Sequence, residues 1–378
     1  MTPAGAADRL TRVRIELDER NLDALLVSAP GEEELGAASR RYLSGFTGST
    51  GLVLITRDRA IVAADFRYIE QAERECAPRG FEIFHALGAR KEWFPRLAGE
   101  AGLAGKRVGV STRDVSYAGY LAMLEYLEQV PGADRPELVP ANGIIEKLRR
   151  QKDAGELALL QRAIDISDAA FERLEDALTP EMTELEAAGA FAANVKAAGG
   201  EDISFPTIVA GGPWGAMPHA SPRAEPLGAD RPVVIDMGAK FAGYCSDLTR
   251  TVVLGNPDAK FREIYGIVFE AQRTAIEGIE TGMKASDAHL LAQSVIDRSG
   301  YGERFGHGLG HGVGLDVHED PYLGASSEDV LQEGMVFTIE PGIYLPGWGG
   351  VRIEDVVVLE NGRPRVLSHA RKLTPAGV

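Results

Sequence analysis

Short apolar runs and amphipathic segments alternate along residues 1–140 of the chain. In residues 6–20, Leu10, Val13 and Leu17 recur at spacings of three and four, which predicts an amphipathic helix. Compact β-prone runs predict strands, and amphipathic runs predict further helices: strands at 23–28, 41–46, 51–55, 60–64, 81–85, 107–110 and 136–139, and helices at 66–76, 91–100 and 117–129. Strands that alternate with helices are typical of an α/β domain, and we expect a mixed sheet.

The pattern changes at the charged run of residues 146–153. The chain has 378 residues, which exceeds the usual size of a single core and favours two domains. We predict an N-terminal α/β domain over residues 1–145 and a second domain over residues 146–378. The second domain combines long helices with β-prone runs. The predicted fold class is therefore α/β (α+β): a mixed-sheet α/β domain followed by a domain of helices and strands.

Four long amphipathic segments predict the helices of the second domain: residues 155–178, 183–199, 257–279 and 286–298. Thr183 and Glu186 have the spacing of a capping box, and Ser286 is a suitable N-cap for the last helix. Residues 204–220 are rich in glycine and proline. They predict a short strand followed by an irregular loop that carries His219.

Residues 233–254 hold two β-prone runs around a glycine-containing centre, which predicts a hairpin. Asp236 and Asp247 would be cross-strand partners on one face if the loop were Phe241–Ala242. Aspartate disfavours strands, and two adjacent like charges cost free energy unless a cation joins them. We therefore predict a metal ion beside this pair; a polar outer face of the hairpin is the alternative.

Two further carboxylates lie inside apolar β-prone runs. Glu340 is in MVFTIEPGIY, and Glu354 is in GGVRIEDVVVL. Glutamate is rarely buried unless it is paired or coordinates a cation. Side-chain alternation places Arg352 and Glu354 on one side of their strand and Asp355 on the other. A structural pair between Arg352 and Glu354 is therefore the alternative to coordination.

The segment GHGLGHGVGLDVHE, residues 306–319, carries His307, His311 and His318. Alternating glycines disfavour a helix, because each interior glycine costs about 1 kcal/mol relative to alanine. They favour an extended or looping backbone that passes close to a bulky or charged group. Spacing alone leaves open which histidine would contact a metal, and a flexible loop with incidental histidines is the alternative.

Two aspartates, one histidine and two glutamates form an oxygen-rich donor set, unlike the Cys/His set of a structural zinc site. Their charge is about −4, and two divalent ions with bridging carboxylates would balance it. A centre of two metal ions clamps the attacking and departing oxygens and generates hydroxide near neutral pH. The residues therefore predict metal-assisted hydrolysis.

Composition restricts the partners and the compartment. The net charge of −16 argues against a nucleic-acid or anionic-membrane partner. Cys76 and Cys245 are far apart in sequence, so we expect no disulfide and a reducing interior. The N-terminal residues lack the apolar core of a signal peptide, and no apolar run reaches the roughly 20 residues of a membrane span. We expect a cytoplasmic protein.

The four motifs DMG…SDLTRT, GHGVGLDVHE, TIEPGIY and GVRIED resemble those of the pita-bread-fold metallopeptidases, in particular the Xaa-Pro peptidases aminopeptidase P and prolidase. The resemblance covers residues 150–370, and residues 40–72 look like the N-terminal creatinase-like domain of the same enzymes. It implies a C-terminal pita-bread domain. It also implies a homodimer that hydrolyses proline-containing peptides or dipeptides.

The resemblance assigns roles to individual residues. Asp236 would chelate one metal ion, His311 and Glu340 the other, and Asp247 and Glu354 would bridge the two. The ions would be manganese first, with cobalt or zinc as alternatives. Glu340 would also handle the proton of the attacking water. His219, His307 and His318 match residues that orient the substrate and stabilise the tetrahedral intermediate. Tyr344 and Arg352 match residues near the proline side of the pocket.

One segment departs from the family pattern. The stretch before the long helix usually reads Arg, apolar, Lys, Ser, and here it is LRRQKDAGE, for which we expect no catalytic consequence. Hydrolysis of an N-terminal Xaa-Pro bond is the preferred function and Xaa-Pro dipeptidase the alternative. A methionine aminopeptidase is less favoured, because about 150 residues precede the catalytic part. A non-catalytic binding module of the same fold would be expected to have lost metal ligands.

Overall fold

The structure is a computed structural model that describes residues 3–31 and 35–373. It divides into two compact units, Met1–Arg149 and Arg150–Val378. The division falls inside the charged run of residues 146–153 that suggested a boundary at 145/146.

The first unit contains helices and strands in alternation: α1 (Pro3–Glu19), β1 (Ala24–Val27), α2 (Ala37–Ser44), β2 (Leu52–Thr56), β3 (Ala60–Ala64), α3 (Ile69–Glu75), β4 (Glu82–His85), α4 (Arg90–Glu100), β5 (Arg107–Val110), α5 (Tyr117–Leu127), β6 (Glu137–Pro140) and α6 (Ile144–Arg150), whose last residue belongs to the second unit. A six-stranded sheet has the order β4-β3-β2-β1-β5-β6. The β1–β2 and β2–β3 pairs are antiparallel and the other three pairs are parallel. The mixed sheet predicted from the alternation is confirmed.

Residues 41–46 were predicted as a strand, and this prediction is wrong: they form the end of helix α2 and the turn after it. Gly36 and Gly45 flank the helix in the left-handed conformation, with φ of 75° and 77°. The helix buries the Arg40 side chain, whose guanidinium donates hydrogen bonds to Ser28 Oγ at 2.7 Å and to the Ser49 carbonyl at 2.9 Å. An arginine side chain can be buried in this way only when such acceptors surround it.

The second unit continues with α7 (Ala154–Ala177), α8 (Glu184–Ala197), β7 (Asp202–Ile203), β8 (Ile208–Gly211), β9 (Pro232–Met237), β10 (Ala239–Phe241), β11 (Tyr244–Cys245), β12 (Leu248–Val253), α9 (Ala259–Gly278), α10 (Ala285–Arg298), β13 (Gly310–Gly312), β14 (Glu319–Leu323), β15 (Val336–Ile339), β16 (Gly342–Leu345), β17 (Gly349–Arg352), β18 (Asp355–Glu360) and β19 (Arg363–Val366). Its sheets have the orders β12-β9-β8, β11-β10-β7, β14-β13-β15-β18-β19 and β16-β17.

Each helix pair of the second unit covers sheet residues with its apolar face. Helices α7 and α8 share a buried cluster with β8, β9 and β12, which includes Phe171 and Phe191. Helices α9 and α10 share another with β15 to β18, which includes Val268 and Phe337. The candidate site residues lie on these strands and on the connections between them.

The N-terminal ends of two predicted helices can be compared with their caps. Thr183 and Glu186 form the predicted capping box of α8. The predicted N-cap Ser286 is wrong: α10 begins at Ala285, and Lys284 occupies the cap position without a side-chain bond to the helix. Asp287 in the first turn supplies the favourable negative charge instead. Among the described residues, no helix combines the length and hydropathy that a membrane span requires.

Candidate metal centre

The hairpin that carries the two aspartates has a register different from the predicted one. Asp236 pairs with Thr249, not with Asp247, because the loop is Ala242–Gly243. Ala242 and Gly243 both have positive φ, 47° and 80°, as a two-residue type I′ turn requires. The shift of two positions preserves side-chain alternation. Asp247 thus becomes a diagonal neighbour of Asp236, and its pKa still responds to the Asp236 charge.

The two glutamates sit at breaks in the β structure, not inside continuous strands as predicted. Glu340 lies between β15 and β16, and Glu354 lies between β17 and β18. Gln272 of α9 holds both breaks: its Nε2 lies 3.0 Å from the Ile339 carbonyl oxygen and 3.1 Å from the Ile353 carbonyl oxygen. Each carbonyl belongs to the residue immediately before one glutamate. One buried amide therefore fixes the backbone of both.

The glycine-rich segment is extended at the short strand β13, which carries His311, and forms bends on either side, in agreement with the predicted extended or looping backbone. A Cβ at Gly310 would overlap the carbonyl oxygen of Thr338, and a Cβ at Gly312 would overlap that of Asp320. These two glycines therefore allow the close backbone approach that places His311 between neighbouring strands. His311 Nδ1 lies 3.0 Å from the Gly312 carbonyl oxygen, which can only accept. Nδ1 therefore carries a proton, and Nε2 is the ring atom directed at the carboxylates.

Asp247, His311 and Glu354 each offer a donor atom, and these atoms lie within 4.8 Å of one another. His311 Nε2 is 3.6 Å from Asp247 Oδ2 and 3.3 Å from Glu340 Oε1. Asp236 adjoins this group through the hairpin. The structure thus brings together all five residues expected from the sequence to hold metal.

Crowding of the carboxylates disturbs their protonation. Burial raises the pKa of Asp247 well above its usual value, and the charges of Glu354, Asp236 and Glu340 raise it further. Burial and the charges of Glu340 and Asp236 raise the pKa of Glu354 in the same way. Burial, the largest single effect, raises the pKa of Glu340, but the contact with His311 and the charges of His311, His307 and Arg352 together outweigh burial and lower this pKa. Such mutual repulsion in a buried site calls for compensating cations.

One carboxylate oxygen provides a separate test of whether a metal fits. Asp236 Oδ2 accepts a 2.7 Å hydrogen bond from Arg352. Asp236 Oδ1 is buried and has no hydrogen-bond partner in the part of the chain that the structure describes. A buried carboxylate oxygen without a partner is unfavourable in a folded protein. The donor chemistry, the repulsion and this open oxygen all fit divalent cations.

Three side chains form a hydrogen-bonded chain beside the carboxylates. His307 Nδ1 lies 2.8 Å from the Gly308 carbonyl oxygen, so it carries the proton. His307 Nε2 therefore accepts from the Tyr344 hydroxyl at 3.0 Å, and that hydroxyl accepts from Arg352 at 2.8 Å. Burial lowers the pKa of His307, which favours this neutral tautomer. Arg352 directs its donors to protein groups, so its position near substrate stays a prediction.

The other two predicted histidines are exposed at the edge of this group. The His318 ring lies 4.2 Å from the His311 ring, centroid to centroid. His219 follows Pro218, whose carbonyl oxygen lies 3.4 Å from an Arg352 nitrogen. Partial burial lowers the pKa of His318, and the His311 and His219 charges lower it further. His318 thus responds to the charge of Glu340, and His219 acts on the pKa values of His318 and His307.

Sequence reasoning missed two hydroxyls that hold the glutamates. Thr249 Oγ1 donates to Glu354 Oε2 at 2.6 Å and accepts from Arg352 Nε at 3.0 Å. Thr338 Oγ1 donates to Glu340 Oε1 at 3.0 Å. Thr338 lies two residues before Glu340, so strand alternation could have suggested it. The long-range contact of Thr249 with Glu354 required the tertiary structure.

The alternative pairing of Arg352 with Glu354 is not what the structure shows. The partner of Arg352 is Asp236, and the residue after Glu354 has its own cation: Asp355 Oδ1 is 2.9 Å from Arg250. Asp355 faces away from the site, as strand alternation predicted. The charge of Asp355 is therefore compensated by Arg250, outside the group of candidate ligands. Among the described residues, Arg352 is the sole arginine that forms an ion pair with one of the four candidate metal-binding carboxylates.

The pita-bread arrangement and the carboxylate-rich centre define a metal-dependent peptidase. Residues 158–361 match Metallopeptidase family M24, and residues 9–151 match the Creatinase/Prolidase N-terminal domain. The chain belongs to metallopeptidase family M24. The α/β, pita-bread fold expected from the resemblance is confirmed.

Relatives along the whole chain agree with this assignment. The chain is 35% identical over 360 residues to a Xaa-Pro dipeptidase of Pyrococcus horikoshii, a match that covers 94% of this chain and 96% of that protein. The solved structure of a Xaa-Pro dipeptidase from Bacillus anthracis has a TM-score of 0.89 at 37% identity, with 97% of this chain and 98% of that one covered. An X-Pro aminopeptidase from Thermotoga maritima has a TM-score of 0.84 at 32% identity, with 94% and 98% covered.

Proposed function

We propose that this metallopeptidase hydrolyses the bond between an N-terminal residue and a following proline, using two divalent metal ions. The observation that carries the proposal is the donor cluster of Asp247, His311 and Glu354, with atoms within 4.8 Å of one another. A matching creatinase/prolidase N-terminal domain favours Xaa-Pro hydrolysis over methionine aminopeptidase activity.

Five residues would hold the ions: Asp236, Asp247, His311, Glu340 and Glu354. The open Oδ1 of Asp236 and the orientation of His311 Nε2 support both residues as ligands, and the crowded negative charge around Asp247 and Glu354 supports cations beside them. As the family resemblance implies, Asp247 and Glu354 would be shared by the two ions. When bound, such ions polarise a carbonyl group and lower the pKa of a water molecule. Manganese is the ion that we propose, because oxygen donors dominate the set.

The protein's own groups position this chemistry. Glu340, whose Oε1 is oriented by Thr338, is placed to accept a proton at its carboxylate. His318 and His219 are the proposed donors or acceptors for the peptide. Both ring nitrogens of His307 are engaged by Gly308 and Tyr344, so its contact with substrate stays a prediction. Arg352 and Tyr344 keep His307 in one tautomer. A bond to proline lacks an N–H group, so its recognition rests on the shape of the pocket and on contacts to the ring.

The preferred activity is that of an Xaa-Pro aminopeptidase. An Xaa-Pro dipeptidase is the second candidate, favoured by the similarity to the Bacillus anthracis and Pyrococcus horikoshii enzymes of that name. We also propose that the active form is a homodimer, which light scattering coupled to size exclusion tests.

The deciding experiment compares an Xaa-Pro dipeptide, an Xaa-Pro-Yaa tripeptide and the matching Xaa-Ala-Yaa tripeptide on manganese-loaded protein. The expected result is release of the N-terminal residue from the Xaa-Pro-Yaa tripeptide and no cleavage of the alanine control. Cleavage of the dipeptide alone would establish the dipeptidase instead. Equal cleavage of the alanine peptide would contradict proline specificity, and activity that survives a chelator would contradict metal dependence.

A further inference from the structure

The loop that carries His219 is held at both ends by one buried carboxylate. Glu184 is the first residue of helix α8 and is 0% exposed. Its Oε1 accepts a hydrogen bond of 2.9 Å from the Gly211 backbone N–H, at the end of strand β8. Its Oε2 accepts one of 2.9 Å from the Arg223 backbone N–H. Gly211 and Arg223 bracket the loop that contains Pro218 and His219.

The Arg223 side chain strengthens the same connection. Its Nε lies 2.9 Å from Glu184 Oε2, and its terminal NH2 nitrogen lies 2.7 Å from Glu184 Oε1, which is a bidentate ion pair. Such pairs are the strong charge-assisted hydrogen bonds of proteins. Four donors therefore converge on one carboxylate, and all of them come from the two ends of this loop.

The middle of the loop is attached to the same ion pair. The Arg223 guanidinium lies 4.3 Å from the centroid of the Trp214 ring, a cation–π contact. Trp214 Nε1 donates to the Ser221 carbonyl oxygen at 3.0 Å. Glu184 thus holds Arg223 in place, and Arg223 covers the Trp214 ring. The hydrogen bond from Trp214 to Ser221 then links two parts of the loop.

The other side of the loop faces the metal centre. The Pro218 carbonyl oxygen is 3.4 Å from Arg352, which in turn contacts Asp236. A displacement of the loop would therefore move His219 relative to the carboxylates. Side chains that touch the substrate must be held to a fraction of an ångström by groups behind them.

We propose that Glu184 is a positioning residue, which sets the place of His219 over the metal centre by closing the ends of the 211–223 loop. The proposal rests on the proposed function for the importance of His219 in the reaction. The state of the loop itself, however, can be measured without any substrate.

The main variant is Glu184→Gln. The neutral amide keeps the size of the side chain but cannot form the bidentate ion pair with Arg223. The variant is expected to fold, because the Glu184 and Leu185 backbone N–H groups still bind the Glu225 and Arg223 carbonyl oxygens. Arg223 is 35% exposed and can be solvated when its partner is lost. Glu186→Gln is the matched control, since Glu186 lies on the same helix turn and its carboxylate bonds to its capping partner Thr183.

The first measurement reads the loop directly. In a background with Trp93→Phe and Trp348→Phe, Trp214 is the remaining tryptophan of the three. Glu184→Gln is expected to increase acrylamide quenching of its fluorescence, because Arg223 no longer covers the ring. Glu186→Gln is expected to leave quenching unchanged. Unchanged quenching in Glu184→Gln would overturn the proposal, whether or not the protein cleaves Xaa-Pro peptides.

The second measurement tests the connection to His219 through a double-mutant cycle on the manganese-loaded protein. Glu184→Gln is expected to lower kcat/KM about 10-fold, as misplacement of an orienting group does. The same change made in His219→Ala is expected to have little further effect, and manganese affinity by calorimetry is expected to stay unchanged in each variant. Losses that multiply in the double variant, or a parallel loss of manganese affinity, would overturn the positioning role. Absence of Xaa-Pro cleavage by the unmodified protein would instead refute the proposed function.

Discussion

Replacement of Gln272 by leucine tests whether one buried amide holds both glutamates of the metal centre. Gln272 is 1% exposed, and its Nε2 lies 3.0–3.2 Å from three acceptors: the Ile339 carbonyl, the Ile353 carbonyl and Asp355 Oδ2. Leucine has a similar volume but no donor. The two carbonyls would lose a partner at the points where Glu340 and Glu354 leave their strands.

The magnitude follows from the number of groups left unsatisfied. A buried acceptor that loses its partner costs about 1–3 kcal/mol. Asp355 keeps its ion pairs with Arg250 and Lys372, so its loss is small. We expect Gln272→Leu to lower the free energy of unfolding by about 2–6 kcal/mol, the sum for the two carbonyls. Groups that orient metal ligands contribute about 10- to 100-fold to metal affinity, and we expect a loss in this range.

Two assays separate these effects. Urea unfolding of the metal-free protein gives the stability change, and isothermal titration with manganese gives the affinity of the folded protein. Val268→Ala is the control, because Val268 lies on the same helix and packs in the same core but its side chain contributes no hydrogen bond. Its expected cost is about 1–2 kcal/mol from the lost volume, with unchanged metal affinity. If Gln272→Leu also kept full manganese affinity, the reasoning would be refuted.

Three further predictions address the centre and its surroundings. Asp247→Ala is expected to abolish activity and to leave fewer than two bound manganese ions per chain by elemental analysis. Two retained ions would contradict the bridging role that we predict for Asp247. Tyr344→Phe removes the hydroxyl between Arg352 and His307. We expect kcat to fall about 10-fold, because a lost buried hydrogen bond worth roughly 1.4 kcal/mol changes a rate by this factor. An unchanged kcat would show that this hydroxyl does not contribute to the reaction. Burial raises the pKa of Asp168 from 3.8 to about 6, so the folded state binds this proton more tightly than the unfolded state. Deprotonation of Asp168 therefore lowers the free energy of unfolding by up to about 3 kcal/mol as pH rises from about 3 to about 7. Asp168→Asn should therefore gain stability relative to the unmodified protein between pH 4 and pH 7 in urea titrations, and parallel stability curves would contradict this.

The sequence was sufficient where a local pattern has one structural solution. Alternation of strands and helices predicted the mixed sheet, and the Thr183–Glu186 spacing predicted a capping box. The glycines around His311 predicted an extended or looping segment, because that density of glycine is too costly in a helix. In the capping box the deciding interactions lie within a few residues of one another.

The sequence was insufficient where tertiary contacts determine which of two local structures forms. The helix Ala37–Ser44 contains β-prone residues, but its burial of Arg40 depends on acceptors at Ser28 and Ser49. The register of the aspartate hairpin depends on which residues adopt positive φ. Rules that reserve such positions for glycine, asparagine and aspartate do not identify Ala242 as one of them. Propensity therefore missed both features.

The placement of the glutamates shows why the centre was easier to predict than its geometry. A glutamate in an apolar strand is unfavourable in any fold, so its presence indicates function without any knowledge of register. The structure resolves the conflict by ending the strand at each glutamate and tying the broken ends to Gln272. The cost of breaking two strands is thus offset by an amide on another element, far away in sequence. Candidate ligands can be identified from local chemical conflict, whereas their positions are set by residues such as Gln272 and Thr249, which are distant in sequence from the glutamates that they hold.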